Sequence, residues 1–505
     1  MPSAARRPSR ALSSAARRAA PHVVALGLLA CGGSVSTPNA EPATSPDAPP
    51  RTEAEAPRQE AASQEAQLAI DAALADVARL RELAPRAAVR GAVVPVEQLV
   101  SHVQSALDED LPEKALTGTA ELLWALGTVP DGFDYRESVL ALMSDELAGL
   151  YDPEQKAMYL RRDLGADATT ATLAHELVHA LQDQHYGLEG LTKWRDDATD
   201  QLSALSALAE GDAMSAMLDG MLESDGRRAF ELPSELLEGQ MRLLGGVTED
   251  AQRVPTILKR SLIAPYADGI RFVHALRKSG GWAAVDGAWR DLPTTTEQIL
   301  HPDKYEAREP ALAVTLPPAP PAVQRGPART PSPASAAAKT TSDSEAPPAE
   351  PWQLAFHDVW GEQSLRILFE EWMPYKAARE SGAGWGGDRI ALYRRGEERA
   401  VAWSLLADDD ASAERMLRAF ARGVHAPRAA DTTALPAVSD EQARSLTKGG
   451  ATCELSSTRG PFSVVRRGRH VVVVVGPYEH TPSGRRATSD CAEARRWAEV
   501  ALTIP

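Results

Sequence analysis

The stretch Asp167-Ala-Thr-Thr-Ala-Thr-Leu-Ala-His-Glu-Leu-Val-His-Ala-Leu-Gln-Asp-Gln-His185 decides how this chain is read. It holds no Gly or Pro and offers Asp167, Thr169 and Thr170 as candidate N-caps, so a helix is expected. On that helix His175 and His179, four residues apart, lie one turn above each other on a single face. Two imidazoles at this spacing reach one tetrahedral Zn²⁺, and Glu176 between them points at the water such an ion holds. Histidines that merely cap or pack would give the same pattern, so the surrounding sequence has to supply the rest of a site.

A third ligand is expected from residues 198–221, which read as a second helix that is apolar almost all the way round and therefore buried. At 100° per residue Glu210 projects between Met217 and Met221, with Ser203 and Ser206 on its side, while Asp212, Ser215 and Asp219 point the opposite way. A carboxylate on an apolar face is costly unless positive charge meets it, and a metal ion or an arginine would answer that need. Gly211 beside it is expected to let this helix approach the zinc helix closely. His185 competes for the third position, but on an unbroken helix it sits about 240° round from His179. The spacing that would bring it back needs a glycine where this chain has Gln182.

With these residues in view, the chain resembles the gluzincin metallopeptidases, in particular bacterial proteins related to the peptidase MA group. The resemblance rests on Thr172 to His185 and on Ala209-Glu-Gly-Asp-Ala213. It extends to Ala148-Gly-Leu-Tyr-Asp-Pro153, Thr296-Glu-Gln-Ile-Leu-His-Pro302 and Gly384-Trp-Gly-Gly-Asp-Arg389, and so covers most of the chain beyond about residue 65. It implies that His175, His179 and Glu210 are zinc ligands and Glu176 the general base of peptide hydrolysis. Many gluzincins carry an acid one turn after the glutamate ligand, where this chain has Met214. Asp183, one turn beyond His179, is the candidate to orient a ligand imidazole in its place. Two short strands joined at Asp152-Pro153 precede the zinc helix, and residues 156–161 are expected to form the cleft edge to which an extended substrate adds. Tyr266 and His301 are candidate donors to a developing oxyanion.

The ends of the chain set the compartment and the domain plan. An arginine-rich, acid-free stretch at 1–20 is followed by the apolar run Val23 to Ala30 and then Cys31, and Leu28-Leu29-Ala30-Cys31 resembles a bacterial lipobox. The resemblance implies a signal peptide over 1–30, lipidation of Cys31, and a membrane-anchored protein on the periplasmic or cell-surface side. An ordinary cleaved signal peptide is the alternative. Residues 31–63 and 315–350, rich in Pro, Ala, Ser and Thr, are expected to be a disordered tether and linker.

Between them, 64–314 is expected to be a largely helical catalytic region with one small β element. Residues 351–505 should form a smaller α+β domain with an antiparallel sheet. Its expected strands are 388–393, 400–405 and 470–475, and its expected helices 411–423 and 490–502. Cys453 and Cys491, the cysteines left after Cys31, are expected to pair in an exported protein. A net charge of −16 leaves no nucleic-acid footprint. The whole reads as an α+β, zinc-dependent peptidase acting on proteins or peptides outside the cytoplasm. A surface lipoprotein with a structural zinc site, and a zinc hydrolase of non-peptide substrates, are the alternatives.

Overall fold

A computed structural model of the chain describes residues 56–244, 254–321, 350–426 and 438–504. The expected signal peptide, Cys31, the tether as far as residue 55 and positions 322–349 of the linker lie outside the described residues. The architecture is mixed α+β, a helical N-terminal region followed by a domain built on an antiparallel sheet.

The first helix, α1 (Ala56–Arg81), starts inside the segment expected to be tether. Its Ala, Glu and Gln residues are strong helix formers, and Pro57 falls in the first turn, where a missing N–H breaks no helical hydrogen bond. Next come β1 (Arg90–Val94) and three helices, α2 (Val96–Asp110), α3 (Glu113–Ala125) and α4 (Tyr135–Glu146). The hairpin β2 (Gly149–Asp152) and β3 (Ala157–Arg161) then joins β1 in a three-stranded sheet of order β1-β3-β2. Strand β3 pairs in parallel with β1 and antiparallel with β2. The expectation that 156–161 forms the cleft edge is therefore corrected, because both sides of this strand are already hydrogen-bonded and β2, at the edge of the sheet, lies against the helix that carries His175 and His179.

That helix is α5 (Ala166–Tyr186), which begins at cap position Gly165, ahead of the expected caps, and ends at Gly187 in the left-handed region. After the single turn α6 (Leu188–Leu191), helix α7 (Thr199–Leu222) runs through the middle of the region and is buried on nearly every face. The long α9 (Thr256–Arg290), broken at Gly280 and Gly281, packs along it, and helix α8 (Ser234–Leu244) packs on α9. Gly211 faces α9, not the helix that carries His175 and His179. A Cβ on it would lie 2.2 Å from the Gly269 carbonyl oxygen, and one on Gly269 would lie 2.0 Å from that of Ala207. The polar side of α7, opposite Glu210, is tied down by buried arginines of α1 and α9. Arg81 Nε donates to Asp212 at 2.5 Å, and Arg277 donates to Ser215 and Asp219 at 2.7 and 2.6 Å.

Two short helices, α10 (Thr296–Leu300) and α11 (Pro302–Glu306), close the helical region. The sheet domain runs through β4 (Gln353–Asp358), α12 (Gly361–Glu370), α13 (Tyr375–Gly382), β5 (Trp385–Arg395), β6 (Glu398–Ala407) and α14 (Asp410–Val424). It continues with α15 (Asp440–Leu446), β7 (Ala451–Ser456), β8 (Gly460–Arg467), β9 (His470–Thr481), β10 (Gly484–Ala487) and α16 (Cys491–Ala501). Sheet order is β4-β5-β6-β9-β8-β7, with β10 on β9. The expected strands are the centres of β5 and β6 and the first half of β9, and the expected helices are α14 and α16.

The unbroken valine run of β9 follows from burial of both sheet faces. Val471, Val473 and Val475 pack toward Phe420 of α14, whereas Val472 and Val474 pack toward Trp497 of α16. Cys453 and Cys491 form a disulfide that pins the start of α16 to β7.

The two regions share one hydrophobic core. Leu122, Leu142 and Leu262 of the helical region belong to the same cluster as Phe356, Trp360 and Leu368 of the sheet domain. Polar contacts reinforce it: Arg366 and Gln363 donate to Asp268 at 2.8 Å each, and Tyr478 donates to Glu121 at 2.5 Å. The expected start of the linker at 315 is also corrected. Residues 312–318 dock on the sheet domain, with Leu312 N–H donating to Gly386, Tyr393 Oη to the Pro317 carbonyl and Trp497 Nε1 to the Pro318 carbonyl at 2.8 Å. Proline carbonyls remain good acceptors, so a proline-rich composition does not prevent docking.

Candidate metal centre

Helix α5 sets the His175 and His179 rings edge to face with centroids 4.8 Å apart, and brings their Nε2 atoms to 3.1 Å. From α7, Glu210 places Oε2 3.1 Å from His175 Nε2 and 3.7 Å from His179 Nε2. A tetrahedral zinc with bonds near 2.0–2.1 Å separates its ligand atoms by about 3.3 Å, so the three atoms stand at the spacing such an ion requires. All three side chains are buried, and neither Glu210 oxygen makes a hydrogen bond among the described residues. A buried carboxylate left that way calls for a cation.

The electrostatics agree. Burial opposes ionisation of Glu210, yet the two imidazoles outweigh it and hold its carboxyl below the ordinary value. Burial likewise opposes protonation of His179, but Glu210, Glu176 and Gln182 push its pKa up to about 9. The pocket between these groups favours positive charge.

Gln182, on the ligand face one turn beyond His179, orients that ring. Its Nε2 donates to the Ala209 carbonyl at 3.0 Å, which turns Oε1 toward His179 Nδ1 at 2.8 Å. In the neutral ring the proton then resides on Nδ1, and Nε2 presents its lone pair to the centre. Asp183, the candidate for this task in the sequence, is engaged elsewhere. Asp183 accepts from Tyr151 Oη at 2.9 Å, Lys156 Nζ at 2.8 Å and the Leu188 N–H at 3.1 Å. Gln182 had entered the sequence reading only as a missing glycine, although its position three residues after His179 on a buried helix was a usable signal.

Glu176 Oε2 accepts the Tyr151 N–H of β2 at 3.0 Å, while Oε1 is buried with no hydrogen-bond partner among the described residues. Burial pushes its carboxyl above the ordinary value, against the pull of His175 and His179. The fixed oxygen orients the other, leaving one atom suited to exchange a proton with a small molecule at the centre.

The remaining expected residues divide. Tyr266 is brought to the site, its buried ring stacked on His175 with centroids 6.1 Å apart. His301 is bound instead to Glu362, at 2.9 and 3.0 Å, where α11 begins against α12. His185 turns away and meets the Ala84 carbonyl at 2.7 Å. With Asp183 and His185 engaged elsewhere, the group of possible ligands is His175, His179 and Glu210 among the described residues. The other acidic group, Glu297, Glu309 and Asp408, already surrounds the Lys304 ammonium at 2.6–2.7 Å.

Compared with protein-family models, residues 352–484 match a domain of unknown function, DUF8575, which covers most of the sheet domain and none of His175, His179 and Glu210. No curated protein and no solved structure matches the chain.

Proposed function

We propose that this protein is a zinc-dependent peptidase of the gluzincin type, acting outside the cytoplasm. The observation that carries the reading is the convergence of His175 Nε2, His179 Nε2 and Glu210 Oε2 within 4.8 Å, beside the half-satisfied carboxylate of Glu176. Three protein ligands with an open fourth position is the pattern of catalytic zinc sites, whereas structural sites are closed by four.

Bound zinc supplies Lewis-acid polarisation of a carbonyl and of a water. Glu176 Oε1 takes the proton of the attacking water and returns it to the leaving amine, while its Oε2 stays anchored to the Tyr151 N–H. Gln182 keeps the His179 ring in its ligand orientation. Tyr266, whose ring stacks against His175, is the candidate to steady a developing oxyanion. Export and attachment through Cys31 rest on the N-terminal pattern, and the Cys453–Cys491 disulfide suits an oxidising compartment.

The test is metal content and casein cleavage by residues 56–505 as wild type, Glu176→Gln and Glu210→Ala. The reading expects one zinc per chain in wild type and Glu176→Gln, loss of zinc in Glu210→Ala, and cleavage by wild type alone. Absence of zinc from all three rejects it.

A further inference from the structure

We infer that the cavity of about 260 Å³ between the helical region and the sheet domain receives an apolar side chain of the substrate, next to the scissile bond. The inference rests on the peptidase reading and adds a role for the sheet domain, which forms one wall.

Position is the first argument. The cavity is lined by Ser206, one turn before Glu210 on the same face of α7, and by Pro265, the neighbour of Tyr266. Four helical residues span about 6 Å. An extended peptide advances about 3.3 Å per residue, so with a carbonyl at the metal centre an adjoining side chain reaches this distance.

Chemistry is the second argument. Leu116 of α3, Leu142 of α4 and Leu262 of α9 supply the helical wall, and Phe356 and Trp360 supply the wall from the sheet domain. Asp358 is the one charged residue of the lining, and it is already held by Thr199 Oγ1 at 2.5 Å. Nothing there would pay for burying a substrate charge, which selects an aliphatic or aromatic occupant. At this volume the cavity falls below the roughly 300–1,000 Å³ of pockets that enclose whole drug-sized ligands, and suits one side chain.

An unsatisfied group is the third. The Ser206 hydroxyl, 1% exposed, makes no hydrogen bond among the described residues, and Ser203 lies one turn before it. A buried hydroxyl in that state lacks a partner that a substrate backbone group would provide.

The test uses the zinc-loaded chain as wild type, Thr119→Phe and Ser364→Phe, two half-buried lining positions that narrow the cavity from its helical and sheet-domain sides. Peptides differing only in the residue on either side of the scissile bond (Ala, Leu, Phe or Asp) are compared by kcat/KM. In parallel, binding of N-acetyl-leucine amide to the metal-free proteins is followed by NMR.

Wild type is expected to prefer Leu or Phe over Ala by about tenfold at one of these positions. Both variants should lose that preference and the amide binding together. Equal cleavage of the peptides by wild type, or a preference that survives both substitutions, overturns the inference while the peptidase reading stands. If wild type cleaves nothing yet binds the amide, and both variants abolish binding, the cavity is an apolar side-chain site and the peptidase reading fails. No cleavage and no binding overturns both.

Discussion

Replacing Gln182 with leucine isolates the part of the metal centre that lies behind the ligands. The substitution nearly preserves volume at a fully buried position and removes two contacts, the 2.8 Å bond to His179 Nδ1 and the 3.0 Å bond to the Ala209 carbonyl. Without an acceptor at Nδ1, the neutral imidazole gains by moving its proton to Nε2, the atom that faces Glu210, and metal binding must then displace it. Loss of such an orienting partner typically weakens metal affinity 10–100-fold, about 1.4–2.7 kcal/mol. The metal-free fold should lose about 1–3 kcal/mol more from the unsatisfied buried groups.

Gln182→Glu separates the two effects, since it keeps an acceptor for Nδ1 and loses the donor to Ala209. Its zinc affinity should stay near wild type while its stability falls. Competition against a chromogenic chelator reads the affinity, and urea unfolding of the metal-free protein reads the stability. Zinc affinity in Gln182→Leu within about twofold of wild type would refute the reasoning.

Three further outcomes are expected. Gly211→Ala puts a methyl 2.2 Å from the Gly269 carbonyl oxygen, a backbone atom, so α7 and α9 must part. Thermal unfolding should register a loss of about 1–3 kcal/mol, and zinc affinity should fall because Glu210 is the adjacent residue.

His274, buried with neither ring nitrogen hydrogen-bonded among the described residues, has its pKa lowered to about 3, first by burial and then by Arg277 and Lys278. Its folded value lies below the unfolded one, so its contribution to stability is complete above about pH 6.5 and fades by about 1.4 kcal/mol per unit as pH falls toward 3. Urea midpoints of His274→Leu should therefore fall less steeply than wild type between pH 7 and pH 4.

Cys453 and Cys491 are 38 residues apart. In the chain-entropy account, replacing both by alanine costs about 4 kcal/mol, visible in the unfolding of the sheet domain and absent from zinc titrations.

The grouping of His175, His179 and Glu210 was legible because its signals are local. A four-residue spacing fixes the two histidines on one face whatever surrounds them, and a carboxylate in an all-apolar helix advertises a buried partner. What depended on distant pairing was not legible. Strand β1 is five residues long and lies between helices, and only its pairing along β3 shows that 157–161 is central rather than an edge. Gly211 signals close approach, but its sequence does not say to which helix. The sequence places Asp212, Ser215 and Asp219 opposite Glu210 without naming their partners, and that of Asp212, Arg81 from the first helix, lies 131 positions away. Composition marked the Pro-rich tract correctly as poor in apolar residues, yet Pro317 and Pro318 dock through their carbonyls, which composition does not weigh.

The core that runs between the helical region and the sheet domain makes them poor candidates for recombination as separate modules. Gly118 lacks a side chain where the Phe356 ring lies, since a Cβ there would come within 2.4 Å of it. Asp268 is neutralised by Arg366, and Arg459 reaches across to the Ala125 carbonyl at 3.2 Å. A lineage that exchanged either half would have to bring a matching plug, a matching cation and a matching donor at once. The two halves are thus bound to evolve together, substitution by compensating substitution, across the seam they share.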